Sequence, residues 1–142
     1  MISNKLLSKL LITGCLSTAT VSVYADEQIV TQLLQSYTSQ GAKNISAQNG
    51  QMLWQKKFKR AGETTSRSCA SCHTNDLKAD GKHVKTSKRI KPMSPLVNPE
   101  RLTKVRKIEK WFKRNCKWTI NRECSVQEKA DFLAFINNKT IF

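Results

Sequence analysis

The sequence predicts an all-α fold in one small domain, and three observations lead to this prediction. The chain has 142 residues, which is the size of a single compact domain. Apolar residues recur every three or four positions in several segments, and this spacing is typical of helices with one buried face. Helix start signals precede two of these segments. No segment requires a strand, and no internal repeat is visible.

Two predicted helices lie in the first half of the chain. The first covers Glu27 to Ser39, where five apolar residues share one helical face, and Gly41 follows as a stop. The second covers Ser46 to Phe58 and has Gly50 and Trp54 among its apolar positions. Each segment can therefore contribute a packed face to a small core.

The second half begins with irregular segments. Residues 60–68 are rich in Gly, Thr and Ser and are predicted to form a loop, and residues 75–95 show no sustained period. A third helix is predicted to start at Asn98, with Asn as N-cap and Pro99 at the first helical position. Its apolar stripe ends near Arg114.

A capping box opens the last predicted helix. In Ser125-Val126-Gln127-Glu128, the Ser125 hydroxyl can accept a bond from the backbone N–H three residues on, and the Glu128 carboxylate can return one. This helix is expected to extend through Asn137. Four of its side chains are available for packing: Ala130, Leu133, Phe135 and Ile136.

Residues 1–25 have the three parts of a secretory signal peptide. Residues 1–9 carry two lysines and no acid, Leu10 to Tyr24 form a short apolar or small run, and small residues precede the expected cleavage after Ala25. The alternatives are lipoprotein processing at Cys15 and a retained membrane anchor, for which the run is short. We therefore expect residues 26–142 to form a single domain in the periplasm, with no stable membrane insertion.

The pentapeptide Cys69-Ala70-Ser71-Cys72-His73 predicts covalent attachment of one haem c. Two thiols three positions apart can reach the two vinyl groups of one porphyrin, and the following histidine can serve as the proximal iron ligand. The alternatives are a redox-active cysteine pair, which would require a βαβ unit, and a zinc site, which would require a second pair at metal spacing. Neither requirement is met by this sequence.

The remaining cysteines of the mature chain are Cys116 and Cys124. In an oxidising compartment they are expected to form a disulfide that closes a short loop, and two free buried thiols are the alternative. The loop-entropy relation gives such a bridge about 2.5 kcal/mol of stabilisation.

The order of helices around the haem motif resembles that of class I cytochromes c. In that family the first core helix crosses the C-terminal helix, a contact that Gly50 and Trp54 could make against Leu133 and Phe135. The family's distal ligand is a methionine just before the last helix. The corresponding connector, Asn115 to Cys124, contains no Met and no His.

Two side chains elsewhere are alternative distal ligands, and a third is a core candidate. Met93 lies between two prolines but only 20 residues after His73, and His83 lies in a lysine-rich stretch. Met52, inside the second helix, is predicted to pack in the core.

Three motifs resemble the sphaeroides haem protein family. They are Lys110-Trp111-Phe112-Lys113-Arg114-Asn115-Cys116, the turn Asn121-Arg122-Glu123-Cys124, and the proline-flanked segment Ile90-Lys91-Pro92-Met93-Ser94-Pro95. The resemblance covers roughly residues 28 to 140, nearly the whole mature chain. It implies a class I-like monohaem cytochrome c.

The resemblance implies that Asn115 is the distal iron ligand and that Cys116 and Cys124 form the neighbouring disulfide. An Asn at this place could also cap the preceding helix. The sequence departs from the family pattern in two places. Met93 stands where some relatives have Leu, so it remains an alternative ligand. Asn121 replaces a glycine and is expected to adopt the same left-handed turn.

Two functions follow from these ligands. A carboxamide oxygen is a weak iron ligand, so the first function is a haem protein in which O2, NO or CO displaces Asn115 after reduction. The second is a plain electron carrier with His73 and Met93 as ligands. A haem sensor without turnover would have the same sequence features as the first. An enzymatic activity is not predicted, although redox chemistry on oxygen or NO is compatible with this site.

The chain has 25 Lys and Arg against 10 Asp and Glu, a formal charge of +15. Such a charge suggests nucleic acid, a membrane surface or an acidic partner, and export excludes nucleic acid. The resemblance implies a dihaem cytochrome c and a membrane b-type cytochrome as partners. We expect the basic residues to steer acidic redox partners, the alternative being a solvated surface. They fall in two runs: Lys82, Lys85, Lys88, Arg89 and Lys91, then Lys104, Arg106, Lys107, Lys110, Lys113, Arg114 and Lys117.

Overall fold

The computed structural model describes residues 21–59 and 61–138. This part of the chain forms five helices and two antiparallel two-stranded hairpins, in which β1 pairs with β2 and β3 with β4. In chain order the elements are α1 (Val21–Ser39), α2 (Ala47–Gln55), β1 (Phe58–Lys59), β2 (Ser66–Arg67), α3 (Ala70–His73), β3 (Gly81–Lys82), β4 (Arg89–Ile90), α4 (Val105–Thr119) and α5 (Val126–Ile136). The all-α prediction is confirmed at the level of the fold, with two short hairpins that were not predicted.

Helix α1 includes the first predicted helix and begins before the expected cleavage point after Ala25. Most of the predicted signal peptide, residues 1–20, lies outside the described residues. Within 21–59 and 61–138, no helix is long and apolar enough to cross a bilayer.

Helix α2 starts where the sequence predicts and ends three residues early. The Ser46 hydroxyl accepts a hydrogen bond from the Asn49 N–H and caps the helix. The predicted end at Phe58 is wrong because Phe58 pairs with Arg67 in the β1–β2 hairpin. That hairpin also encloses most of the segment predicted as a loop.

The predicted start of the third helix is wrong. Helix α4 begins at Val105, and the Asn98 amide instead donates to the Pro92 carbonyl at 2.9 Å. The guanidinium of Arg101 donates to the same carbonyl at 2.8 Å, and Leu102 has a positive φ of 59°. The chain from Asn98 to Leu102 is therefore folded as turns that support the Met93 segment.

The predicted end of this helix is also wrong. Helix α4 continues past Arg114 through Thr119, and Ile120 is its C-cap. Asn115 and Cys116 are therefore helical residues and do not belong to a connector. The alternative role of Asn115 as a helix cap is excluded by this continuation.

The last helix agrees with the prediction, and so do the contacts of Gly50 and Trp54 with Phe135, whereas Leu133 packs in the core cluster that contains α1 residues. The capping box of Ser125 and Glu128 is present, and Asn137 is the C-cap of α5. Helix α2 crosses α5 so closely that a Cβ on Gly50 would lie 2.1 Å from the Asp131 carbonyl oxygen. The Trp54 ring packs edge-on against Phe135, with centroids 5.8 Å apart.

The core consists of two apolar clusters. The first joins α1, α4 and α5 through Val30, Leu33, Tyr37, Ala42, Ile108, Ala130 and Leu133. The second lies beside the cysteine pair of α3 and contains Trp54, Leu77, Cys116, Cys124, Phe132, Phe135 and Ile136. Met52 belongs to neither cluster: it is 63% exposed, so its predicted core role is wrong.

Candidate haem site

The attachment motif forms a single helical turn. Helix α3 follows Cys69. Ser68, before the helix, and Ser71, inside it, form two reciprocal hydrogen bonds: the backbone N–H of each donates to the hydroxyl of the other, at 3.0 and 3.1 Å. Cys69 and Cys72 are unpaired and half-buried. Cys69 packs against the second core cluster, which also receives Met93. Both cysteines therefore lie on one turn, and Cys69 lies against an apolar surface.

Burial keeps the Cys69 sulfur protonated. Desolvation is the largest cause that raises the pKa of the Cys69 thiol, to about 12, and the neighbouring Cys72 adds to it. A redox-active or metal-binding cysteine pair requires lowered thiol pKa values. The apolar surroundings therefore fit a thioether attachment better than a redox pair.

His73 is held as a neutral imidazole. Burial, followed by the positive charge of Arg101, lowers the pKa of His73 to about 4. Its Nδ1 is enclosed and has no hydrogen-bond partner among the described residues. Trp54 packs 5.4 Å from the imidazole, centroid to centroid, and donates from Nε1 to the Thr74 carbonyl at 2.8 Å. A neutral, oriented imidazole is the form that ligates iron, so these residues fit a haem c.

The Met93 segment is fixed to the chain just after the motif. The Leu77 carbonyl accepts bonds from the N–H groups of Met93 at 2.9 Å and Ser94 at 2.8 Å. Arg101 and Asn98 both donate to Pro92, as described above. Met93 is half-buried at the edge of the second cluster, so it lies in the same region of the molecule as Cys69.

Asn115 lies on the partly buried side of α4. It is half-buried, follows Phe112 by one turn, and adjoins Cys116 of the second cluster. Its carboxamide makes no hydrogen bond within the part of the chain that the structure describes. Asn121, after the helix, has a φ of 68°, which confirms the left-handed turn.

Three other predicted site residues occupy defined positions. The Cys116 and Cys124 sulfur atoms are joined, and the Cα atoms are 5.5 Å apart, a separation typical of disulfides. The His83 Nδ1 lies 3.2 Å from the Thr86 backbone nitrogen, which donates to it, so this ring nitrogen stabilises the turn of the β3–β4 hairpin. The Nδ1 atom of His83 is thus already used in a hydrogen bond within its own hairpin.

The two basic runs differ in how their charges are used. In the first, Arg89 pairs with Asp80 at 2.7 Å and Lys91 pairs with Glu100 at 3.2 Å. In the second, Lys113 and Lys117 approach the single carboxylate of Glu123 at 4.0 and 3.1 Å. The solvent side of α4 therefore retains an excess of positive charge.

Sequence reasoning missed three residues that organise this region. Arg101 supports the Met93 segment, and Arg67 contacts Trp118 near the end of α4. The contact of Arg67 joins segments that are distant in sequence, whereas Arg101 reaches back to the neighbouring turn. The only local signal is that Arg67 precedes Cys69 by two positions, which by itself indicates no partner.

The chain is similar to known cytochromes of the c type. The family described as "Domain of unknown function (DUF1924)" matches residues 40–136. The chain is 37% identical to cytochrome c'' of Methylophilus methylotrophus over 95 residues, which are 67% of this chain and 65%, just under two thirds, of that protein. It is 34% identical over 105 residues to the cytochrome c-type protein SHP of Cereibacter sphaeroides, covering 74% of this chain and 80% of SHP.

Solved structures of both relatives superpose on this fold. Oxidised SHP, described as an oxygen-binding cytochrome c, gives a TM-score of 0.69 at 33% identity and covers 76% of this chain and 95% of SHP. The solution structure of cytochrome c'' from Methylophilus methylotrophus is described as giving insight into haem-ligand detachment. It gives a TM-score of 0.66 at 33% identity and covers 83% of this chain and 96% of cytochrome c''. The chain therefore belongs to the sphaeroides haem protein family, as a class I-like monohaem cytochrome c whose cofactor is haem c.

Proposed function

We propose that this protein is a periplasmic monohaem cytochrome c in which Asn115 is a displaceable distal ligand, so that O2, NO or CO binds when the iron is reduced. Residues 1–25 would be the cleaved signal peptide and residues 26–142 the single domain. The observation that carries the proposal is the placement of Asn115. It is half-buried on α4, beside the cluster that receives Cys69, and its carboxamide has no other partner within the described residues.

Cys69 and Cys72 would hold the haem by thioether bonds, and His73 would be the proximal ligand. Three features support these roles: both thiols are unpaired, they lie on one helical turn, and Trp54 packs against the His73 ring. Haem c would supply a redox-active iron that can take ligands from the protein and from outside it. The protein's contribution is to hold one strong ligand on α3 and a second ligand on α4.

The carboxamide of Asn115 is a hard, neutral oxygen donor. It binds reduced iron less strongly than a thioether sulfur or an imidazole nitrogen does. A diatomic ligand can therefore compete with Asn115 more easily than it could with Met or His. The oxygen-binding relative and the relative studied for ligand detachment support the same behaviour in this chain.

A proposed disulfide between Cys116 and Cys124 would restrain the position of Asn115. It joins the residue after Asn115 to the chain just before α5, and both cysteines are buried in the second cluster. The last part of α4 would then remain close to the core when the carboxamide is displaced.

Optical spectra of the reduced protein, with and without CO, test the proposal. We expect a high-spin reduced spectrum that shifts on addition of CO. Asn115→Ala should keep this response and lose the spectrum of the oxidised wild type. Met93→Leu should change neither form, and Met52→Leu, at an exposed methionine, is the matched control.

A plain electron carrier with His73 and Met93 as ligands is the second candidate. It is favoured by the fixed position of Met93, whose N–H donates to the Leu77 carbonyl beside the attachment motif. Sharp low-spin bands in the reduced protein, no response to CO, and loss of those bands in Met93→Leu alone would establish this function instead.

An acidic redox protein is the proposed partner, and family resemblance suggests a dihaem cytochrome c and a membrane b-type cytochrome. The solvent side of α4 supports this partner because its lysines and arginines greatly outnumber its acids. Such a surface accelerates association at low ionic strength. The rate of electron transfer from an acidic donor should therefore fall steeply with added salt, and a rate independent of salt would exclude steering by this surface.

A further inference from the structure

Both hairpins contact the indole of Trp118, which lies in the last turn of α4. The Arg67 guanidinium of β2 lies 4.3 Å from the ring centroid, and the Lys85 ammonium lies 4.9 Å from it. The His83 ring, also in the β3–β4 hairpin, packs 6.1 Å away at an angle of 32°. Trp118 therefore joins both hairpins to the helix that carries Asn115.

Arg67 holds the backbone of this helix as well as the ring. Its Nη1 donates to the Trp118 carbonyl at 3.4 Å, and its Nη2 pairs with Glu63 at 2.7 Å. The last carbonyls of a helix have no partner within the helix, and a cation at this end is favourable. Only 12% of the Arg67 side chain is exposed, so its contact with the indole is largely shielded from water.

These contacts act one turn from Asn115. Residues 115 and 118 are three positions apart and lie on neighbouring parts of the helix surface. Cys116 lies between these two residues in the sequence and faces the second core cluster, where it is joined to Cys124. Three contacts thus hold the end of α4. Arg67 binds the Trp118 carbonyl, Arg67 and Lys85 contact the Trp118 indole, and Cys124 is joined to Cys116 on the core side.

We propose that the contact between Arg67 and Trp118 is a latch that keeps the end of α4 in the position from which Asn115 acts as a ligand. Arg67 and Trp118 are then positioning residues that control how readily an outside ligand displaces the carboxamide. The inference rests on the proposed function, because it assumes that Asn115 is displaceable. It adds a control element built from the segment just before the haem attachment motif.

Hydrogen–deuterium exchange of the oxidised holoprotein tests the latch without any gas ligand. Arg67→Met removes the cation and the donor but keeps the aliphatic stem, and Trp118→Leu removes the ring. Amides in the last turn of α4 should exchange about tenfold faster in each, equivalent to 1.4 kcal/mol at 25 °C. Lys88→Met, an exposed change of one charge in the β3–β4 hairpin, should have no effect.

Stopped-flow binding of CO to the reduced protein measures the effect on Asn115. The rate should rise about fivefold to tenfold in both variants, since a partly buried cation–aromatic contact is lost. Arg67→Lys keeps a cation near the ring but loses the planar fork, so its rate should be intermediate. The double variant should gain less than the product of the two single effects, because both changes remove one contact.

The outcomes separate the two proposals. If the wild type binds no CO, the displaceable-ligand function is refuted, and the exchange experiment alone decides whether Arg67 and Trp118 hold the helix end. If the wild type binds CO but neither variant changes its rate, the latch is refuted and the function stands. Unchanged exchange in both variants also refutes the latch. Trp118→Leu keeps the test valid if Arg67→Met interferes with haem attachment.

Discussion

Substitution of Gly50 by alanine tests the crossing on which the site is built. The added Cβ would lie 2.1 Å from the Asp131 carbonyl oxygen, 2.7 Å from the Asp131 carbonyl carbon and 2.7 Å from the Phe135 Cβ. Two of these atoms belong to the backbone of α5 and cannot rotate away. Helices α2 and α5 must therefore separate to accommodate one methyl group.

The expected loss of unfolding free energy in Gly50→Ala is the difference between two opposing contributions. Overpacking of this kind costs about 3 kcal/mol, the upper part of the usual range, because the contacted atoms are backbone. Alanine returns about 1 kcal/mol through its higher helix propensity. The net loss is about 2 kcal/mol, which lowers the melting temperature by roughly 8 °C in a domain of this size. Trp54 lies one turn beyond Gly50, so its contact with His73 should loosen too.

Thermal unfolding of the holoprotein, followed by far-UV circular dichroism, measures this loss. Asn49→Ala is the matched control because Asn49 is an exposed neighbour in the same helix, where alanine is expected to be neutral or slightly stabilising. If Gly50→Ala is as stable as the wild type or more stable, the helices do not cross at Gly50 and the argument is refuted.

Three further predictions concern the end of α4 and the start of α5. Ser125→Ala removes the acceptor of the Glu128 N–H and should lower the unfolding free energy by about 1 kcal/mol in urea titrations; an unchanged midpoint would contradict this role of the cap. Hydrogen bonds from Arg122, at 2.7 Å to each carboxylate oxygen, hold the pKa of Glu128 below its ordinary value of 4.5. The ionised carboxylate therefore stabilises the fold above pH 4.5, and this contribution is lost as the pH falls through the lowered pKa; Arg122→Met should make unfolding less dependent on pH in that range. Replacing Cys116 and Cys124 together by alanine should cost about 2.5 kcal/mol if they form the proposed disulfide, and the loss should match that caused by a reductant in the wild type.

The elements that the sequence predicts correctly depend on neighbouring residues. The capping box at Ser125 and Glu128 is complete within four positions, and the contacts it makes are those that its residue types require. The close approach of Gly50 to α5 is an exception, because it joins segments distant in sequence; the family resemblance predicts it, together with a residue that lacks a side chain. The attachment motif is likewise contained in five consecutive residues.

The elements that are predicted wrongly depend on partners outside their own helical segment. Asn98 has the residue type of a cap, but its amide donates to the Pro92 carbonyl, to which the Arg101 guanidinium also donates. The predicted end of α4 is too early because the apolar stripe stops near Arg114. The helix continues because Cys116 packs in the second core cluster and Trp118 contacts Arg67 of the β1–β2 hairpin.

The corrected length of α4 changes how the proposed ligand would be released. In a connector, Asn115 could withdraw by rotation of its own backbone, with little effect on its neighbours. Within α4, the backbone of Asn115 is fixed by the helix, so release requires rotation of the side chain or a tilt of the helix end. Both the Cys116–Cys124 link and the Arg67–Trp118 contact oppose a tilt. As the proposed ligand, the carboxamide would therefore stay close to its binding position after displacement, and rebinding would be favoured as soon as the outside ligand leaves.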